Sequence, residues 1–228
     1  MAFDINSVIR LYKKRLAVDQ RLQDIASRHA SVPEAQYYAD RAGAHMATAI
    51  KTSGIITPEM SEAETEAILQ ALTKQVEKDV SRVSTATQRS LLRKAGTGLS
   101  ALDVEHDPRQ IRELAAEIAG KEITDDFLKT QLSNQAMKFA DRITAVNAQA
   151  QDAIGLKVRI TRTYDDVGLH GGKDDCEWCL ERVGDWDNYK DAYDAGAFER
   201  HPGCGCLITY EVGKTRTWSV NKSGWSDL

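Results

Sequence analysis

Apolar residues along the first two-thirds of the chain return every three to four positions, the spacing of one helix face. From Ile5 to His29 they fall at Val8, Leu11, Val18, Leu22 and Ile25, with Ile9, Tyr12 and Leu16 alongside, and this period predicts one helical run. Ser31 before Pro33 predicts a fresh helix start, because proline lacks only a donor that is unpaired in a first turn anyway. The buried stripe of that helix would be Ala35, Tyr38, Ala42, Met46 and Ile50, mostly small residues that let a neighbouring helix come close, and Gly54 would end it.

Thr57-Pro58 and the box Ser61-x-x-Glu64 both signal another start. The pattern Ile68, Leu72, Val76, Val80, Val83 and Leu91 then continues to Gly96, an unusual length for a compact domain. Asp107-Pro108 opens a shorter helix closed by Gly120. Thr124, followed by Asp125 and Asp126 at the positive end of the helix dipole, opens a last one lined by Leu128, Leu132, Phe139, Ile143, Val146 and Ile154.

Past Gly155 the period changes from helical to alternating. Lys157 to Tyr164 alternates polar with apolar or β-branched residues and predicts a half-buried strand. Leu207 to Val212, Gly213-Lys214, then Thr215 to Val220 predicts a β-hairpin, and Asn188 to Ala197 a short helix between them. The fold class is therefore mainly α: a long-helix N-terminal region over 1–155, joined to a small α+β module over 156–228 that ends in a β-hairpin.

Composition sharpens that division. All four cysteines lie between Cys176 and Cys206, and all four tryptophans lie beyond residue 175. The 42% hydrophobic and 28% charged residues suit a soluble folded protein and exclude the signature of disorder. A net charge of -4 gives no general pull toward DNA or an anionic membrane, so a nucleic-acid role would need a local basic patch; Lys13-Lys14-Arg15 and Arg93-Lys94 read first as solvated faces. Met1-Ala2-Phe3-Asp4-Ile5 has an acid where a signal peptide needs a basic stretch, and no apolar run reaches the ~20 residues that span a bilayer. The expectation is synthesis in a reducing cytoplasm, where close-set cysteines are metal ligands more often than disulfides.

Cys176-x-x-Cys179 has the spacing of a metal knuckle, in which two intervening residues let the backbone turn both sulfurs toward one ion. The second half is His201-Pro202-Gly203-Cys204-Gly205-Cys206, where His201 and Cys204 repeat the gap and Pro-Gly supplies the turn. Zinc takes four N or S ligands tetrahedrally. Cys176, Cys179 and Cys204 fill three places, and His201 and Cys206 compete for the fourth. A module of this size rarely has core enough to fold alone, whereas structural zinc contributes about 10–16 kcal/mol in small peptides. Catalytic zinc keeps one place open for water, and four or five donors at knuckle spacing point to a closed, structural site. The deaminase pattern, H-E-x-x-H, a phosphate loop and G-x-S-x-G are all absent from the sequence. Asp165-Asp166, Asp174-Asp175 and His170 carry no assigned catalytic role, so no enzymatic activity is expected.

The order strand, Asp-Asp-Cys176-x-x-Cys179, gap, His201-Pro202-x-Cys204-x-Cys206, at the end of a long helical region, resembles the Mu-F-like minor head proteins of tailed bacteriophages. The likeness is specific over about Tyr164 to Thr209; within it, this chain has Asp174-Asp175 where the family often has Arg-Thr, and Gly203 where it often has Asn. The resemblance implies a virion protein of the phage head, made in the host cytoplasm, present in few copies and acting structurally in head morphogenesis. The implied partners are the portal and major capsid proteins, with contact to packaged DNA and none to a membrane. It also implies Cys176, Cys179, His201, Cys204 and Cys206 as the metal motif, with Zn2+ the cofactor. Two readings from other classes compete: a zinc-dependent nuclease-like enzyme, which would need an open metal position and a catalytic His201 or His170, and a zinc-module adaptor that binds nucleic acid.

Overall fold

A computed structural model of the protein describes residues 4–164 and 176–215. Among these, eight helices and three strands follow one another, mainly helical first and a small sheet last. Helix α1 (Ile5–Val18) and helix α2 (Gln20–Ser27) replace the single run expected over Ile5 to His29. Asp19 makes the break. Its extended backbone (φ -81°, ψ 92°) leaves the helix, and its carboxylate accepts from the Leu22 amide, 3.3 Å away, to cap α2. His45 of α3 (Val32–Ser53) holds the same carboxylate at 2.9 Å. A local cap with a tertiary partner outweighs unbroken periodicity here.

Ser31 caps α3 through a full capping box with Glu34, and all five residues of the expected stripe are buried. Gly54 closes it in the left-handed region at φ 61°. Ser61 and Glu64 form a second box at the start of α4 (Glu62–Lys94), 33 residues long. Thr57-Pro58 instead belongs to a turn, closed by the Met60 amide on the Thr57 carbonyl at 3.2 Å. Helix α5 (Pro108–Ile118) starts at Asp107, and α6 (Asp125–Ala153) starts at Thr124. Ile154, expected on the apolar side of α6, is exposed because the helix has already ended at Ala153, and Val146 is half-buried.

Helix α3 is the centre of the bundle and packs on α1, α2, α4 and α6. Its closest approach is to α6. A Cβ added to Gly43 would lie 2.4 Å from the Leu132 carbonyl oxygen and 2.6 Å from Ser133 Cα, so backbone meets backbone there and only glycine fits. One core, from Val8 to Ile143, fills the bundle.

Strand β1 (Leu156–Thr163) is the middle of an antiparallel sheet, with β2 (Gly184–Trp186) on one side and β3 (Leu207–Thr215) on the other. The sequence gives no hint of β2, too short at three residues to show alternation. Gly213-Lys214 is not the hairpin turn expected of it. The strand runs on to Thr215, and the pairing slips from Val158↔Val212 to Leu156↔Thr215, one extra residue on β3. That is a β-bulge, which a glycine eases. The rest of the expected second arm, 216–220, lies outside the described residues. Leu156, Val158, Ile160 and Arg162 share the buried face of β1. The sheet rests on the bundle through a second core, in which Val32 and Ala148 join Val158, Ile160, Ile208 and Tyr210. Among the described residues, no helix is long and apolar enough to cross a membrane.

Candidate metal centre

Two short turns carry the donors. Cys176 is the N-cap residue of α7 (Glu177–Leu180), and its carbonyl accepts from the amides of Cys179 and Leu180 at 2.9 and 3.0 Å. One helical turn thus sets both sulfurs on the same side. The second turn is His201-Pro202-Gly203-Cys204. Its Cys204 amide donates to the His201 carbonyl at 3.1 Å, and Gly203 takes φ 78°. Proline second and a positive-φ residue third is the chemistry of a type II turn. Asparagine is the next residue to tolerate that conformation.

The structure brings all five expected donors together, in two groups that share Cys179: Cys176, Cys179 and His201, and Cys179, Cys204 and Cys206. The His201 Nε2 atom lies 3.3 Å from Cys176 Sγ and 3.0 Å from Cys179 Sγ, and the Cys179 and Cys204 sulfurs are 3.7 Å apart. A Zn–S bond of about 2.3 Å in a tetrahedron sets a sulfur–sulfur edge of about 3.8 Å, so that last distance matches a shared ion. No disulfide links the four cysteines. His201 Nδ1 sits 2.8 Å from the Pro202 carbonyl, which can only accept; Nδ1 therefore carries the hydrogen, and in the neutral ring Nε2 turns its lone pair toward the sulfurs. Trp178 packs edge-on against the His201 ring at 5.0 Å and lies beneath the Arg182 guanidinium at 3.9 Å.

The thiols are not equivalent. A hydrogen bond from Cys206, together with the charges of Arg200 and Arg162, draws the Cys204 thiol far below its ordinary range. Donating that bond to Cys204, and burial, push Cys206 the other way. Burial and the neighbouring Cys204 raise Cys179. Four sulfurs, three of them buried, with an imidazole facing Cys176 and Cys179, offer donors that suit a soft or borderline metal ion.

Sequence reasoning missed the charged residues behind the sulfurs. Arg162 donates from Nη1 to the carbonyls of Gly196, Ala197 and Glu199 at 3.1, 3.0 and 2.6 Å, and its Nη2 lies 3.6 Å from Cys204 Sγ. Arg200 pairs with Asp141 of α6, and its Nη1 reaches the Cys204 carbonyl at 3.4 Å. Asp141 also accepts from Gln36 Nε2 of α3 at 2.6 Å, and Gln36 Oε1 accepts from the Ile208 amide of β3 at 3.0 Å. The His201–Cys204 turn is thereby tied into the helical bundle through a chain of polar contacts from Arg200 by way of Asp141 and Gln36 to Ile208. Parity along β1 was the available signal, since Arg162 falls on the same alternate positions as Val158 and Ile160. His170, Asp165, Asp166, Asp174 and Asp175 lie outside the described residues.

Comparison with family models, with curated proteins and with solved structures finds no match for this chain.

Proposed function

We propose that this chain is a minor head protein of a tailed phage, acting structurally in head morphogenesis, with a zinc ion that closes its C-terminal module. The observation that supports the reading is the meeting of Cys176-x-x-Cys179 and His201-Pro202-x-Cys204-x-Cys206 in two donor groups joined at Cys179, the same two half-motifs, in the same order, on which the resemblance rests. The ligands of this reading are Cys176, Cys179, His201 and Cys204, with Cys206 hydrogen-bonded beside them. Four protein ligands leave no place for a bound water, so the ion joins the two turns and supplies no Lewis-acid step. Helices α4 and α6, 33 and 29 residues long, extend about 50 and 44 Å at 1.5 Å per residue, a reach suited to bridging neighbouring subunits such as portal and capsid proteins.

The test is in the particle. Mass spectrometry of purified virions should find the protein in small numbers, fractionating with the portal, and a phage lacking it should make defective or poorly infectious heads. Its absence from virions sinks the reading. Metal-dependent DNA cleavage lost in a folded His201→Ala protein would replace it with the nuclease reading.

A further inference from the structure

Arg162 and Arg200 are both sealed inside the protein, at 1% and 6% exposure. A guanidinium is always charged in a protein and is costly to bury without an anion. Arg200 has one, Asp141. Arg162 has no carboxylate among the described residues: it faces three backbone carbonyls and the sulfurs of Cys204 and Cys206. Arg200 Nη1 comes within 3.9 Å of that same sulfur. Neither Arg162 Nε nor Arg200 Nη2 finds an acceptor among the described residues. Among the described residues, these two buried cations and the one carboxylate paired with them leave a surplus of one positive charge beside the sulfurs.

A divalent ion with three thiolates and a neutral imidazole carries one negative charge, which cancels that surplus. Four thiolates would carry two and leave one uncancelled. The hydrogen that His201 Nδ1 gives to the Pro202 carbonyl is consistent with a neutral, ligating ring. We propose that Arg162 and Arg200 are the counter-ions of the metal centre, and that they fix it as a singly negative site of three sulfurs and His201, excluding Cys206 from coordination. This rests on the metal-site reading above. Arg162 is on this view a positioning residue with two roles, holding the 196–199 backbone through Nη1 and the sulfurs by its charge.

The experiment uses the full chain with zinc or cobalt alone. X-ray absorption of the zinc-loaded protein should give three sulfurs and one nitrogen, and Cys206→Ser should load fully. Arg162→Met should weaken metal binding by about 10- to 100-fold, the usual cost of removing a group that supports a ligand. It should also move the sulfur-to-cobalt charge-transfer band to lower energy, because the sulfur loses a stabilising positive charge. Arg162→Lys should restore both, because an ammonium keeps the positive charge beside the sulfurs. Four sulfurs around the ion would overturn the charge count without needing any variant to fold. A lysine variant as weak as the methionine one, or a methionine variant with unchanged affinity and band, would reduce Arg162 to scaffolding. If the native chain takes up no metal at all, the metal-site reading itself falls first.

Discussion

Arg200 and Asp141 form an ion pair with both side chains out of contact with solvent, at 1% and 0% exposure, joining the segment just before the His201–Cys204 turn to the middle of α6. Breaking such a pair from one side leaves a buried charge alone and costs about 3–5 kcal/mol, whereas the intact pair adds little net stability by itself. Asp141→Ala should therefore lose about that much in chemical denaturation and weaken metal uptake in parallel. A variant that loses stability but keeps metal affinity would uncouple the two regions.

Removing the metal should disturb the helices without melting them. The main bundle core runs from Val8 to Ile143 and contains no cysteine, so most helical circular dichroism should survive a chelator. The Arg200–Asp141–Gln36–Ile208 contacts pass beside the centre, so the melting temperature of that helical signal should drop by several degrees. An unchanged melting temperature would mean that these contacts hold without the ion.

The five donors should separate by metal stoichiometry. Elemental analysis should give about one zinc per native chain, as a single four-ligand site requires. It should find little in Cys179→Ser, whose sulfur belongs to both donor groups, or in His201→Ala, and normal loading in Cys206→Ser. Loss of metal from Cys206→Ser with retention in His201→Ala would reverse the assignment of the fourth ligand.

Gly43→Ala should be among the most damaging single-methyl additions in the protein. The new carbon meets the α6 backbone, which cannot rotate away, and overpacking of this kind costs about 1–3 kcal/mol or more. Gly98→Ala, which adds its carbon to open space, is the control, and equal denaturation midpoints for the two would refute the close approach.

Acid should loosen the start of α3 in a defined window. Hydrogen bonds from Arg28 and from the Ser31 backbone hold the Glu34 carboxyl down at about 2, against an ordinary 4.5. A folded-state value below the unfolded one contributes stability above about 4.5 and loses it as the pH falls toward 2. In Glu34→Gln that portion of the acid sensitivity should vanish, measured as the difference in melting temperature between pH 5 and pH 2.5.

The sequence by itself determined where most of the helices start and which residues could hold a metal ion. Capping chemistry at Ser31, Ser61, Asp107 and Thr124 starts four helices where it was read, because a cap is satisfied within a few residues of itself. The cysteine spacing marked the five donors for a similar reason: each pair is brought together by its own turn. Only the tertiary structure decided the rest. The break at Asp19 depends on His45, 26 residues away, and the Gly213 bulge on the strand beside it. The partners of Arg162 and Arg200 come from α6 and the 196–204 loop, and Gln36 of α3 ties Asp141 to Ile208, 172 residues beyond Gln36 along the chain. A charged residue in a linear sequence has its hydration assured. Whether it is buried, and which charge must then answer it, is fixed only when distant segments close around it and exclude water.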